Sequence, residues 1–167
     1  MKLNKIRLSG LFAGFLWVWI FVASCSDQET RQAEGADQPK RILEYEKDLY
    51  FLRNAKSDTI AGIQVALADT PEKRNTGLMN IDKLPAQRGM LFLFDEEEPR
   101  SFWMANTPVS LDIIFVSSER KIVRIHHSTK PYAETNYRSD EPAQYVVEVN
   151  GGFCVEHDIR EGMSVIF

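Results

Sequence analysis

Residues 102–116 read "FWMANTPVSLDIIFV", an apolar run interrupted by Asn106, Thr107 and Asp112. With Trp103 these residues bring an indole face together with an amide, a hydroxyl and a carboxylate. Apolar stacking with a few placed hydrogen bonds is what a small polar ligand or a sugar requires. Trp103, Asn106, Thr107 and Asp112 are therefore the candidate ligand-binding residues. The same types also have a structural use, because Asn and Thr side chains lock turns onto nearby backbone and a tryptophan fills a core. Asp112 needs donors under either reading, since a buried polar group left unpaired costs about 1 to 3 kcal/mol. The nearest in sequence are the Asn106 and Thr107 side chains and the loop amides.

Three other constellations carry chemistry-bearing groups. Asp112 and Glu148 would make a glycoside hydrolase pair if their carboxyls stood about 5 to 9.5 Å apart. They are the weak catalytic candidates, against a plainer use of Glu148 as the partner of Arg74 or Arg88. Cys154 and His157 lie three apart on a short helix and would permit a thiolate–imidazole pair, although Phe153 and Val155 flank the thiol. Met79, Met90, Met104 and Met163 with His126 and His127 offer soft donors to Cu(I). Adjacent histidines on a strand face opposite ways, and scattered methionines are better read as core filler. No metal site and no cofactor are expected, and the reading leans away from an enzyme.

The elements that must position these groups are mainly strands. Alternation and β-branched runs predict strands near 48–53, 60–67, 89–94, 111–116, 121–126, 144–149 and 163–167. In "LDIIFV", Leu111, Ile113 and Phe115 share one face while Asp112, Ile114 and Val116 share the other. Thr70 as N-cap, Pro71 at the first helical position and Gly77 near the end predict one short helix. A second follows Asn150, Gly151 and Gly152 and carries "FCVEHDI". "SSER" at 117–120 is short and polar enough to close a hairpin.

Ahead of this body lies an address. "MKLNKIR" is a cationic opening to an apolar run over residues 8–23, which is interrupted by Ser9, Gly10 and Gly14 and ends in "VASC". That is export-signal architecture, shorter than the run of about 20 apolar residues a membrane-spanning helix needs. Val22, Ala23, Ser24 and Cys25 resemble the bacterial lipobox, which implies cleavage before Cys25 and its lipidation. Residues 1–24 are then a signal peptide. Residues 25–42 are the lipidated N-terminus and a polar tether, and residues 43–167 are one mainly β domain. Ser26, rather than an aspartate, follows the cysteine, which favours onward transport to an outer membrane where the host has one. "SDQE" resembles the acidic tags of surface-exported lipoproteins.

Two cysteines in 167 residues leave Cys154 alone once Cys25 is lipidated. Cleavage removes Lys2, Lys5 and Arg7, leaving 17 basic against 24 acidic residues, a balance of −7. Such a body is repelled by nucleic acid, so no nucleic-acid partner is expected.

Five ordered motifs, "GLM" at 77–79, "GMLFLF" at 89–94, "FWMANT" at 102–107, "LDIIFV" at 111–116 and "VEVNGG" at 147–152, resemble the domain of unknown function 192. The resemblance covers about residues 60–167. It implies a small β-sandwich or jelly-roll-like domain of exported bacterial proteins, with no established activity or catalytic residues. The chain departs from that pattern at Ser110, where proline is common, in "SSER", which lacks the usual turn glycine, and at Met163, where aspartate is usual. Taken together, the expected protein is a lipid-anchored envelope module. It binds a small polar ligand or an envelope component through residues 102–112, with a glycan hydrolase and a purely structural protein as the alternatives.

Overall fold

The computed structural model describes residues 41–53 and 58–167. The expected signal peptide, Cys25 and the expected tether up to residue 40 lie outside the described residues. Among the described residues no helix is long and apolar enough to cross a membrane.

Seven strands and two short helices follow in the order β1 (Lys47–Leu52), β2 (Thr59–Ala68), α1 (Pro71–Thr76), β3 (Arg88–Phe102), β4 (Leu111–Val116), β5 (Ile122–His126), β6 (Tyr137–Asn150), α2 (Phe153–Glu156) and β7 (Ser164–Ile166). The strands form one sheet, ordered β5-β4-β6-β3-β2-β1-β7. Its two edges approach each other through a Lys121–Ser164 bridge. Backbone bonds from Ile122 N to Met163 O and from Val165 N to Arg120 O, both 2.8 Å, support that bridge. The sheet is therefore nearly closed, which leaves little unpaired edge. The mainly β class with short helices holds, in a barrel-like form of the expected sandwich.

Near-closure gives every strand an inner and an outer face. Inside lie Leu49, Phe51, Val65, Leu91, Ile114, Val116, Val147, Val149 and Val165. Phe153, Cys154 and Ile159 of the α2 region pack into that core as well. A second core covers part of the outer face, where Met90, Phe92, Leu111, Ile113, Phe115 and Val146 meet Leu78, Ile81, Leu84 and Met104 from the connecting loops. Strand β4, with the segments of β3 and β6 near it, is thus buried on both faces, which is why "LDIIFV" reads as a continuous apolar run.

Local chemistry explains the punctuation. The Thr70 hydroxyl accepts from Lys73 N at 3.3 Å, Pro71 opens α1, and Gly77 closes it at φ 45° with its N–H on Lys73 O. "SSER" closes the β4–β5 hairpin with Arg120 at φ 64°. At Gly89 a Cβ would stand 2.6 Å from the Glu148 carbonyl, so only glycine lets β3 and β6 approach there.

Candidate functional site

The sheet separates the two carboxylates. Asp112 pairs with Val149, and its neighbour Ile113 pairs with Glu148. Directly opposed residues share a face, so Asp112 points inward with Val149 while Glu148 points outward with Ile113. The expected Asp112–Glu148 pair is not brought together, and the geometry of a two-carboxylate hydrolase is absent from these residues.

Asp112 is wholly buried and fully engaged. Its Oδ1 accepts from Ser128 N at 2.7 Å and Gly152 N at 3.0 Å, and its Oδ2 accepts from Cys154 N at 2.8 Å. One carboxylate thus ties β4 to the turn after β5 and to the start of α2, where orphan N–H groups need acceptors. Loop amides are its donors, as the sequence allows, whereas the Asn106 and Thr107 side chains are not.

Glu148 is almost as deeply buried but has no such hydrogen bonds among the described residues. Burial lifts its carboxyl from the ordinary 4.5 to about 8, with no charged or hydrogen-bonding group contributing. Neither expected arginine pairs with it, although Arg74 lines the same cleft. Arg74 donates to Asp69 O and Leu93 O, and Arg88 lies over the Tyr45 ring. Around neutral pH Glu148 is a protonated acid, able to donate one hydrogen bond and accept others.

Glu148 opens into a cleft of about 40 Å³ together with Trp103, Thr107, Phe102, Met79 and the α1–Leu78 segment. Trp103 is 57 % exposed, so it does not fill a core. It stands at the cleft because the loop behind it is tightly held. Met104 N donates to Ala133 O, Thr107 N to Met104 O, and Tyr132 N to Thr107 O, each at 3.1 Å. Asn106 adopts φ 53°, a left-handed conformation that asparagine tolerates, and its carbonyl accepts from Asn80 N at 2.8 Å. The Thr107 hydroxyl donates to Ala105 O at 3.1 Å, which uses its proton and leaves it an acceptor. Phe102 anchors the strand end edge-on against Phe92, with centroids 5.0 Å apart.

The four candidate ligand-binding residues therefore separate. Trp103 and Thr107 line the outer cleft with Glu148, Asn106 shapes the exposed turn, and Asp112 lies on the opposite face of the sheet. Of the other constellations, Met90 and Met104 sit in the outer core and Met163 in the inner one, apart from one another. His126 is held by Arg138 O and by the Phe115 and Tyr137 rings. His157 rests on the Phe153 ring, with centroids 4.3 Å apart, while Cys154 faces Asp112 instead. The Cys154 thiol is pushed up, first by burial and then by the Asp112 carboxylate, which accepts a hydrogen bond from it.

The profile of DUF192, described as "Uncharacterized ACR", matches residues 52–167. The chain belongs to the DUF192 family. No curated protein matches it. Among solved structures it is similar to a Sinorhizobium meliloti protein described as a candidate transcription regulator. The two are 31 % identical with a TM-score of 0.69, and the match covers 75 % of this chain and 97 % of that one. A Novosphingobium aromaticivorans protein of unknown function is also 31 % identical, with a TM-score of 0.69 over 78 % of this chain and 90 % of its own.

The departures of this DUF192 chain have local accounts. Ser110 O accepts from Gly151 N at 2.8 Å, and its Oγ lies 2.4 Å from where a Gly151 Cβ would stand, so Ser110 and Gly151 fit as a pair. Arg120 takes the turn position without glycine, and its guanidinium caps the Phe167 ring at 3.5 Å and the Tyr145 ring at 4.2 Å. Met163 is buried in the inner core, and its sulfur faces Arg160 N at 3.4 Å. The sequence reading missed Glu148 as a partner of Trp103. Strand alternation within "VEVN" shows only that Val147 and Val149 share one face, and the register against β4 is needed to show which face is inner.

Proposed function

We propose that this DUF192 chain is a lipid-anchored cell-envelope protein whose outer cleft binds a small polar ligand or the edge of an envelope glycan. One observation carries the reading: the carboxyl of the largely buried Glu148, with no hydrogen-bond partner among the described residues, lines a cleft edged by an exposed indole. A native fold rarely leaves such a group unsatisfied without a use for it. Protonated Glu148 donates to a ligand carbonyl or hydroxyl, Thr107 Oγ1 accepts, and Trp103 stacks on an apolar ring face. The cleft has room for on the order of three water-sized groups, so it takes the tip of a ligand rather than the whole of one. The acidic balance of the body argues against carrying over the regulator description of the Sinorhizobium protein, because DNA contact needs surplus cations.

Anchoring follows from the lipobox. More than one acyl chain at Cys25 holds the domain stably, at about 0.8 kcal/mol per buried CH₂. Labelling with a fatty-acid analogue marks the wild type, while Cys25→Ser loses the label and accumulates as precursor; equal labelling of both rejects the anchor. Ser26 favours the outer membrane in a two-membrane host, and protease shaving of intact cells reads surface display.

The cleft has a convenient reporter. Trp17 and Trp19 leave with the signal peptide, so Trp103 is the sole tryptophan of the mature chain. Titrating detergent-solubilised mature protein with lysozyme-released peptidoglycan fragments should shift its fluorescence at pH 6. Glu148→Gln should keep that response, and Glu148→Ala should lose it. A fluorescence unchanged by these fragments and by simple sugars and polyols would leave the cleft a structural seam and favour the assembly role.

A further inference from the structure

Three side chains that the outer cleft does not use converge on the inner face. A carboxylate oxygen of Asp112, the sulfur of Cys154 and a ring nitrogen of His127 all lie within 4.8 Å of one another. They come from β4, from the first turn of α2 and from the residue after β5. His126 pairs with Ile113 on the outer face, so alternation turns His127 to the inner side, where Asp112 points. Asp112 and Cys154 are buried, and His127 is exposed.

The donor set selects the ion. Calcium and magnesium take oxygen ligands, and Cu(I) prefers a set dominated by sulfur, whereas one sulfur, one imidazole nitrogen and one carboxylate oxygen suit zinc and its neighbours. Charge selects the valence. A thiolate and a carboxylate bring two negative charges beside a neutral imidazole, so a divalent ion leaves a neutral and therefore buriable group. Three protein ligands with an exposed rim at His127 leave the fourth tetrahedral position to water, the pattern of an open site. The amides of Ser128, Gly152 and Cys154 use three of the four Asp112 lone pairs. They fix its orientation as outer-shell donors do, and the fourth lone pair, which accepts from the Cys154 thiol, becomes free for the ion when that proton leaves.

We propose that Asp112, His127 and Cys154 form a binding site for a divalent transition metal of the zinc class, with solvent as fourth ligand. On binding, a sulfur–metal bond replaces the S–H bond of Cys154 and the proton leaves to solvent, with no electron transferred. A tetrahedral zinc shell holds its ligands about 3.5 Å apart, so the donors must draw together. His127, exposed at the end of its strand, is the one free to move.

Cobalt(II) tests the site in the detergent-solubilised mature protein, because a cobalt–thiolate bond gives a near-ultraviolet charge-transfer band. The wild type should develop that band stoichiometrically and lose it when zinc is added. Cys154→Ser should abolish the band. His127→Ala, which alters an exposed residue and leaves the circular dichroism unchanged, should weaken cobalt binding by at least about tenfold. The proposal fails if the wild type shows no band, if the band persists in Cys154→Ser, or if His127→Ala binds cobalt as tightly as the wild type. Should Cys154→Ser not fold, His127→Ala decides alone.

Discussion

Asp112 and Glu148 lie on neighbouring strands, one residue out of direct register, and both are buried acids. Their environments differ completely. Asp112 faces the inner end of the barrel, where the turn after β5 and the start of α2 supply three N–H groups that have no other partner in regular structure. Glu148 faces the outer core among Met90, Ile113 and Phe92, where the flanking strand residues are paired in the ladders of β6 with β3 and β4. A carboxylate is a structural clasp where chain ends converge on it and a latent functional group where complete strands surround it. Burial alone distinguishes neither, and the availability of backbone donors does.

The largest consequence of that contrast is a dependence on pH. An unfolded chain releases the Glu148 proton near 4.5, whereas the folded chain holds it to about 8. The folded state thus binds more protons throughout that window, so stability declines as pH rises through it. The penalty is absent below 4.5, grows between the two values and is complete above 8, where it amounts to roughly 5 kcal/mol. Glu148→Gln cannot ionise, so urea denaturation at several pH values should show its advantage over the wild type growing from pH 4.5 to 8 and then levelling. Any constant offset reports how the amide packs. A difference that does not change with pH would mean that Glu148 is solvated or paired, and the contrast with Asp112 would disappear.

Asp112→Ala should cost less but act at every pH where the aspartate is ionised. It strands the amides of Ser128, Gly152 and Cys154, and water reaches the first two more readily than the third, so the loss is about 3 kcal/mol. Asp112→Asn, which keeps one acceptor oxygen, should recover part of it. Hydrogen exchange at Cys154 N–H sharpens the assignment. Protection there should collapse in the alanine variant, while amides of β6 around Glu148 keep theirs relative to global stability. Equal loss in both places would mean that the two faces are not independent.

How much of this was legible follows from what each signal is made of. Thr70, Pro71 and Gly77 delimit α1 in the sequence because caps are local chemistry, and the chain obeys them residue by residue. The continuous apolar run of β4 announces burial on both faces. The strand extensions are another matter. β3 runs on through "DEEEPRSF" and β6 begins at Tyr137, so that Pro99 lies opposite Pro142. Charges and prolines there read as loop, because much of this arm stands outside the core and carries no apolar alternation. The parallel pairing of β2 with β3 and the closure through Lys121 and Ser164 are non-local and leave no mark on either segment. The opposite facing of Asp112 and Glu148 is of the same kind. Each strand shows its own alternation, and only the register between them assigns the faces.

The smallest expected stability effect belongs to Trp103, and its smallness is the informative part. A core indole replaced by alanine costs about 3 to 5 kcal/mol, because both transfer and cavity terms are lost. With 57 % of its surface in water, Trp103 makes only a fraction of those contacts. The backbone bonds of Met104, Thr107 and Tyr132 hold its loop without the side chain. Trp103→Ala should therefore lower stability by less than about 1 kcal/mol. In the proposed cleft the same change removes the stacking face and should abolish retention of the mature protein on immobilised peptidoglycan fragments, whereas Trp103→Phe keeps a smaller ring and should retain part of it. Since neither variant disturbs Asp112 or the inner core, thermal melts that overlay the wild type beside a lost retention would place ligand recognition on the outer face alone. A loss of several kcal/mol with retention unchanged would make Trp103 a packing residue and leave Glu148 without a partner in function.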